Sequence, residues 1–124
     1  MTQRTERVAG AIREVLGELI VRQEIKDPRV RGAGIITCTH VRVSGDLRQA
    51  RAFFTVHGLD DESLARVRQG LDSASGFLRR RLADRLHLKS TPALAFEVDR
   101  ELEQEERIEA LLREVSQDTG KKDE

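Results

Sequence analysis

The chain has neither tryptophan nor tyrosine, and four phenylalanines are its whole aromatic complement apart from histidine. That scarcity argues against reading single-stranded nucleic acid by stacking successive bases on aromatic side chains. The one cysteine, Cys38, cannot close an internal disulfide and lacks the companions that a zinc site demands. No apolar run approaches the length of a membrane span, and the opening residues MTQRTERVAG lack the apolar stretch of a secretory signal, so a cytoplasmic protein without membrane contact is expected. Neither a glycine-rich phosphate loop nor a dinucleotide fingerprint is present. His40, His57 and His87 are scattered, and their spacing assembles no nucleophile, base and carboxylate set, which argues against an enzyme or a bound cofactor. Cys38 and His40 could share a strand face, but two potential ligands are too few for a metal, and a buried thiol beside a surface imidazole is the expectation.

What is present suffices for one domain: 124 residues, 38% of them hydrophobic, support a single core and little more. The formal net charge of zero hides an asymmetry. Residues 1–100 carry 18 Lys+Arg against 13 Asp+Glu, a balance of +5, and residues 101–124 carry 4 against 9, a balance of −5. A basic body with an acidic extension suggests an anionic partner for the body, although a charge run is usually a solvated face.

From Thr5 to about Arg22, apolar residues recur at three- and four-residue steps, the pattern of an amphipathic helix. Its charges run against the helix dipole, with Arg4 and Arg7 early and Glu14 and Glu18 late, which hints at a reason other than helix stability. The stretch EIKDPRVRGAG, with Pro28, Gly32 and Gly34, reads as a connecting loop. IITCTHVRV and RQARAFFTV are rich in β-branched or aromatic residues and flank SGDL, so an antiparallel hairpin is expected. Alternation places Ile35, Thr37, Thr39, Val41 and Val43 on one face of the first strand, and Ala50, Ala52, Phe54 and Val56 on one face of the second.

Asp60 or Asp61 can cap a second helix with apolar positions Leu64, Val67, Leu71 and Ala74, and Leu78, Leu82 and Leu86 continue the four-residue steps. After Thr91-Pro92, ALAFEV alternates as a third strand. Ile108, Leu111, Leu112 and Val115 mark a short helix over 101–116, and residues 117–124 have too little apolar content to stay folded. The order predicts an α+β fold, a three-stranded sheet with helices on one face and the other face open.

Gly76 interrupts the leucine stripe just before three arginines, and a mid-helix glycine costs about 1 kcal/mol relative to alanine. A tight packing contact or a C-cap would explain it. So would a kink at Ala74-Ser75-Gly76 that presents the first-turn amides of a new helix, groups that attract phosphate. Beyond the break Arg80 can be offset by Asp84 one turn later, whereas Arg81 and Arg85 have no acid four positions after them, and Lys89 extends the basic run. On this reading Arg81 and Arg85 are the uncompensated charges.

RVAGAIREVLGELI, EIKDPRV, ITCTHVRVSGDLRQARAFFTV, SASGFLRRRL and LKSTPALAFEVD together resemble the bacterial ribosome-binding factor A family over most of the chain. The resemblance implies a type II KH-like topology in which an alanine-x-glycine kink, here Ala74-Ser75-Gly76, replaces the usual GxxG loop. It implies residues 1–100 as an RNA-binding domain and a monomer that binds the free 30S subunit and 16S rRNA. It further implies a part in 5′-end maturation of 16S precursor and in growth in the cold. The expected RNA-binding residues are then Arg7, Lys26, Arg29, Arg31, Ala74, Ser75, Gly76, Arg79, Arg80, Arg81, Arg85 and Lys89, with Arg81 and Arg85 outranking Arg80. A KH-like protein-interaction module is the main alternative, and a small RNA-processing enzyme a remoter one for want of a catalytic set.

Overall fold

The computed structural model describes residues 3–101 and 107–115. The expected tail over 117–124, and residues 102–106 and 116 of the expected C-terminal helix, lie outside the described residues. Elements run α1 (Gln3–Val21), α2 (Pro28–Arg31), β1 (Ile36–Val43), β2 (Gln49–Val56), α3 (Asp61–Ser73), α4 (Ser75–Leu86) and β3 (Ala93–Val98), followed by helical residues 107–115. The sheet order is β1-β2-β3. The hairpin pair is antiparallel, and β3, reached through α3 and α4, is parallel to β2. This is the expected α+β architecture. The helices α1, α3 and α4 lie on one sheet face, where Ile12, Leu16, Leu19, Phe54, Leu71, Leu78 and Leu82 are fully buried. Each such side chain contributes about 1.5–3 kcal/mol on leaving water, so this layer contact supplies much of the fold's stability.

Two expectations need correction. The stretch read as a loop contains the one-turn helix α2, because Asp27 caps it by accepting the Arg29 N–H at 2.9 Å and Pro28 stands at a first-turn position where no amide is needed. The inward face of β1 is also not the one that simple alternation predicts. Ile36 is buried while Ile35 is 84% exposed and Thr37 faces solvent, yet Val41 and Val43 are buried as expected. A bulge between Cys38 and His40 absorbs the extra residue and switches parity midway along the strand. Cys38 therefore packs against the core and His40 lies on the open face, its ring stacked on Phe53 at 4.2 Å. Burial pushes the Cys38 thiol up to about 11, with Arg13 pulling weakly the other way.

The junction between α3 and α4 falls where the leucine stripe and the glycine placed it. Ala74 adopts φ −85°, ψ 0°; its N–H reaches Gly70 and Leu71 carbonyls, and its own carbonyl accepts the Leu78 N–H at 2.9 Å. One helix thus ends and the next begins on a single residue. Leu64, Val67 and Leu71 before it, and Leu78 and Leu82 after it, are all buried, so the apolar face continues across the junction. Asp72, just before the junction, accepts the Phe96 N–H at 3.1 Å and ties α3 to the edge of β3.

Candidate nucleic-acid interface

The start of α4 is not capped by any side chain, because its N-cap residue is Ala74. First-turn amides of a helix have no intrahelical acceptors, and an uncapped start leaves them for water or a ligand. Beside them opens a cleft of about 570 Å³, lined by Glu24, Ile25, Lys26, Asp27, Ser73, Ala74 and Phe77. One wall is the segment leading into α2, and the other is the α3–α4 junction.

Gly70 brings the two walls together. A Cβ there would stand 2.9 Å from Val30 Cγ2, closer than real side chains approach, and a tight 3.0 Å from Arg29 Cβ, so glycine at position 70 lets α2 rest this closely on α3 without a shift. Arg29 completes the joint. Its Nε and Nη2 donate to the two Asp27 oxygens at 3.0 and 2.8 Å, and Nη2 also reaches Ser73 Oγ at 3.1 Å. These hydrogen bonds hold the Asp27 carboxyl down at about 2.

Gly76 has a different reason from the one its backbone freedom suggests. Its φ is not positive, and an added Cβ would meet nothing nearer than Arg80 Nη1 at 3.9 Å. The position is exposed, so the absent side chain leaves open surface over the first turn of α4. Arg80 lies back across that surface, and among the described residues it makes no ion pair with Asp84.

Arg81 and Arg85 are compensated, contrary to expectation, by acids that are remote in sequence. Arg81 Nη2 donates to Glu24 Oε1 at 2.9 Å and Arg85 Nη2 to Glu18 Oε2 at 2.8 Å. Helices α1 and α4 run antiparallel, so Glu18, one of the acids set against the dipole of α1, meets Arg85, and Glu24, in the segment after α1, meets Arg81. The Arg85 hydrogen bond, with Arg22 beside it at 2.9 Å, lowers the Glu18 carboxyl below its ordinary range. Arg79 is engaged too, donating to the Pro92 and Thr91 carbonyls at 3.1 and 2.9 Å before β3.

The expected residues therefore divide. Lys26, Arg29, Ala74, Ser75, Gly76 and Arg80 gather at the cleft and the first turn of α4. Arg31 lies apart, lining a cavity of about 250 Å³ with Ile20, Val21 and Ile35. Lys89 borders a depression with Arg4 at the opposite end of α4, about 18 Å away for a helix of this length, and Arg7 sits one turn beyond Arg4 on α1. Arg7, Lys26, Arg31, Arg80 and Lys89 make no side-chain ion pair among the described residues. Sequence reasoning missed Glu24, Asp27, Gly70, Ser73 and Phe77. The Asp27-Pro28 pair carried a readable cap signal, but nothing local marked Glu24 or Gly70.

Similarity to known proteins bears on what this arrangement serves. The family model for ribosome-binding factor A matches residues 4–112. Ribosome-binding factor A of Geobacter sulfurreducens is 45% identical over 123 residues, covering 99% of this chain and 100% of its own. That of Magnetococcus marinus is 45% identical over 112 residues, covering 90% and 88%. The crystal structure of the Thermus thermophilus ribosome-binding factor A superposes with a TM-score of 0.63 at 23% identity, over 76% of this chain and 93% of that one. A homology model of the Thermus thermophilus factor, fitted into a cryo-EM map of a complex between the 30S subunit and the factor, gives 0.61 at 23% identity, over 77% and 94%. By its matched length and by these relatives, the chain belongs to the ribosome-binding factor A family.

Proposed function

We propose that this protein is a ribosome biogenesis factor that binds the free 30S subunit through 16S rRNA and assists its late maturation, including 5′-end processing of the 16S precursor. The observation that carries this reading is the uncapped start of α4 at Ala74, which lines a cleft with Lys26, while the Arg80 side chain reaches back toward Gly76 on the same first turn. Oriented amides beside cations that make no ion pair among the described residues suit a phosphate oxygen, and A-form RNA is recognised largely through its backbone. Family membership and the Thermus thermophilus complex with 30S support the small subunit as the target.

Residues 1–100 form the RNA-binding domain on this reading, and the acidic extension over 101–124 is assigned no RNA contact. The protein works as a cytoplasmic monomer, by binding energy and not by catalysis. A factor that holds one rRNA conformer more tightly than another shifts the population by that difference in affinity and no more. The effect matters most in the cold, where misfolded RNA escapes slowly.

Sedimentation of the tagged protein against ribosomal fractions tests the reading: it should travel with free 30S and not with 70S particles, and its deletion should raise unprocessed 16S precursor, most at low temperature. Equal association with both particles and unchanged precursor would contradict it. A second reading has its own observation. Ile108, Leu111, Leu112 and Val115 are all more than half exposed on one helix, as expected of a protein-interaction surface, and that reading would be favoured if RNA-free protein fractions captured the chain.

A further inference from the structure

Two of the residues lining the cleft are carboxylates, Glu24 and Asp27, an unfavourable lining for a site meant to receive phosphate. Each is met by one arginine. Arg29 spends its fork on Asp27 through two nitrogens and reaches Ser73 with one of them, which leaves no bidentate edge for a phosphate. Arg81 gives Nη2 to Glu24, and its Nε is buried with no hydrogen-bond partner, so the inner edge of that guanidinium faces protein. Arg85 makes an equally short bond to Glu18, but neither residue lines the cleft. The same type of ion pair therefore occurs once at the cleft wall and once away from it, which provides a built-in control.

We infer that Arg81 and Arg29 are positioning residues that neutralise Glu24 and Asp27 from behind, so that an RNA phosphate can enter the cleft between Lys26 and the first turn of α4. The inference rests on the proposed function and specifies how its site works. Phosphate contact falls to Lys26, Arg80 and the α4 amides. The arginines act through the carboxylates they cover, because a bare carboxylate a few ångströms from a phosphate repels it strongly at a protein surface.

Titration of the full chain against free 30S subunits over a salt series separates this from direct contact. Arg81→Ala should weaken binding about tenfold by exposing Glu24. The double variant Arg81→Ala with Glu24→Gln should return to within about twofold of wild type with the same salt slope, because no phosphate contact is lost. Arg81→Lys, which keeps the charge, should retain most of the affinity, and Arg85→Ala should stay within about twofold of wild type. A double variant as weak as Arg81→Ala, with its salt slope lowered by about 1, would make Arg81 a phosphate ligand and overturn the inference. Should Arg81→Ala fail to fold, Glu24→Gln alone decides: with Arg81 intact it should bind more tightly, and unchanged or weaker binding overturns the idea. Wild-type protein with no affinity for 30S would remove the proposed function and this inference together, whereas failed rescue alone leaves the proposed function standing.

Discussion

Arg81 and Glu24 stand 57 positions apart in the chain and meet at 2.9 Å, joining the segment after α1 to the second turn of α4. With Arg85 and Glu18 one turn further along, they hold the two helices antiparallel beside the junction at Ala74. Both pairs are partly open to solvent, so they orient the helices more than they stabilise them. Of the two, only the Arg81–Glu24 pair reaches the cleft wall, through Glu24.

Gly70→Ala should destabilise the protein by about 1–3 kcal/mol, because the new methyl group meets Val30 and Arg29 at van der Waals overlap and neither can withdraw without moving α2. Urea denaturation measures the loss. The same variant should bind 30S more weakly than its remaining folded fraction explains, since Lys26 moves with α2.

Gly76→Ala should do the opposite to stability. The added Cβ has open space and the backbone angles suit any residue, so stability should rise by about 0.5–1 kcal/mol. Binding to 30S should nevertheless fall, because the methyl group covers the α4 amides. Raised stability with unchanged affinity would show that no ligand approaches this surface.

Arg80→Ala should cost more RNA affinity than Arg85→Ala and lower the salt slope by about 1, reversing the ranking that local charge spacing suggests. Among the described residues Arg80 makes no ion pair, while Arg85 is already bonded to Glu18. Affinities of the two single variants over a salt series check the order.

The Asp27 carboxyl, held at about 2 against an ordinary 3.8, links stability to acid. A carboxyl depressed in the folded state contributes stability that is complete above its unfolded value and is lost as pH falls through its folded value. Asp27→Asn should therefore flatten the urea-midpoint profile between about pH 4 and pH 2, with the Glu18 carboxyl, also lowered, shaping the same limb. An unchanged profile would mean that the Asp27–Arg29 pair does not persist in solution.

Much of this architecture was legible in the residues. The leucine steps from Leu64 to Leu86, broken only at Gly76, placed the helix junction, and ALAFEV placed β3 within its observed bounds. The inward face of β1 was not legible, because a bulge at Thr39 leaves no compositional mark and reverses the parity of Ile35 and Ile36. The state of the arginines was not legible either. Spacing within a helix reports neighbours three or four positions away, whereas Glu24 and Glu18 reach Arg81 and Arg85 only through the packing of α1 on α4. Glu18, set against the dipole of α1, was the one visible trace of that packing, and Gly70 gave no trace at all until α2 was seen resting on it.

The central claim, that the cleft at Ala74 receives an RNA phosphate, is tested most directly by the salt dependence of 30S binding for the Lys26→Ala, Arg80→Ala double variant against wild type. The account predicts weaker binding and a logarithmic salt slope reduced by about 2, one for each cation removed from the site, with the fold intact by thermal melting. Wild-type affinity and an unchanged slope in a folded double variant would contradict it and move the RNA contact elsewhere on the protein.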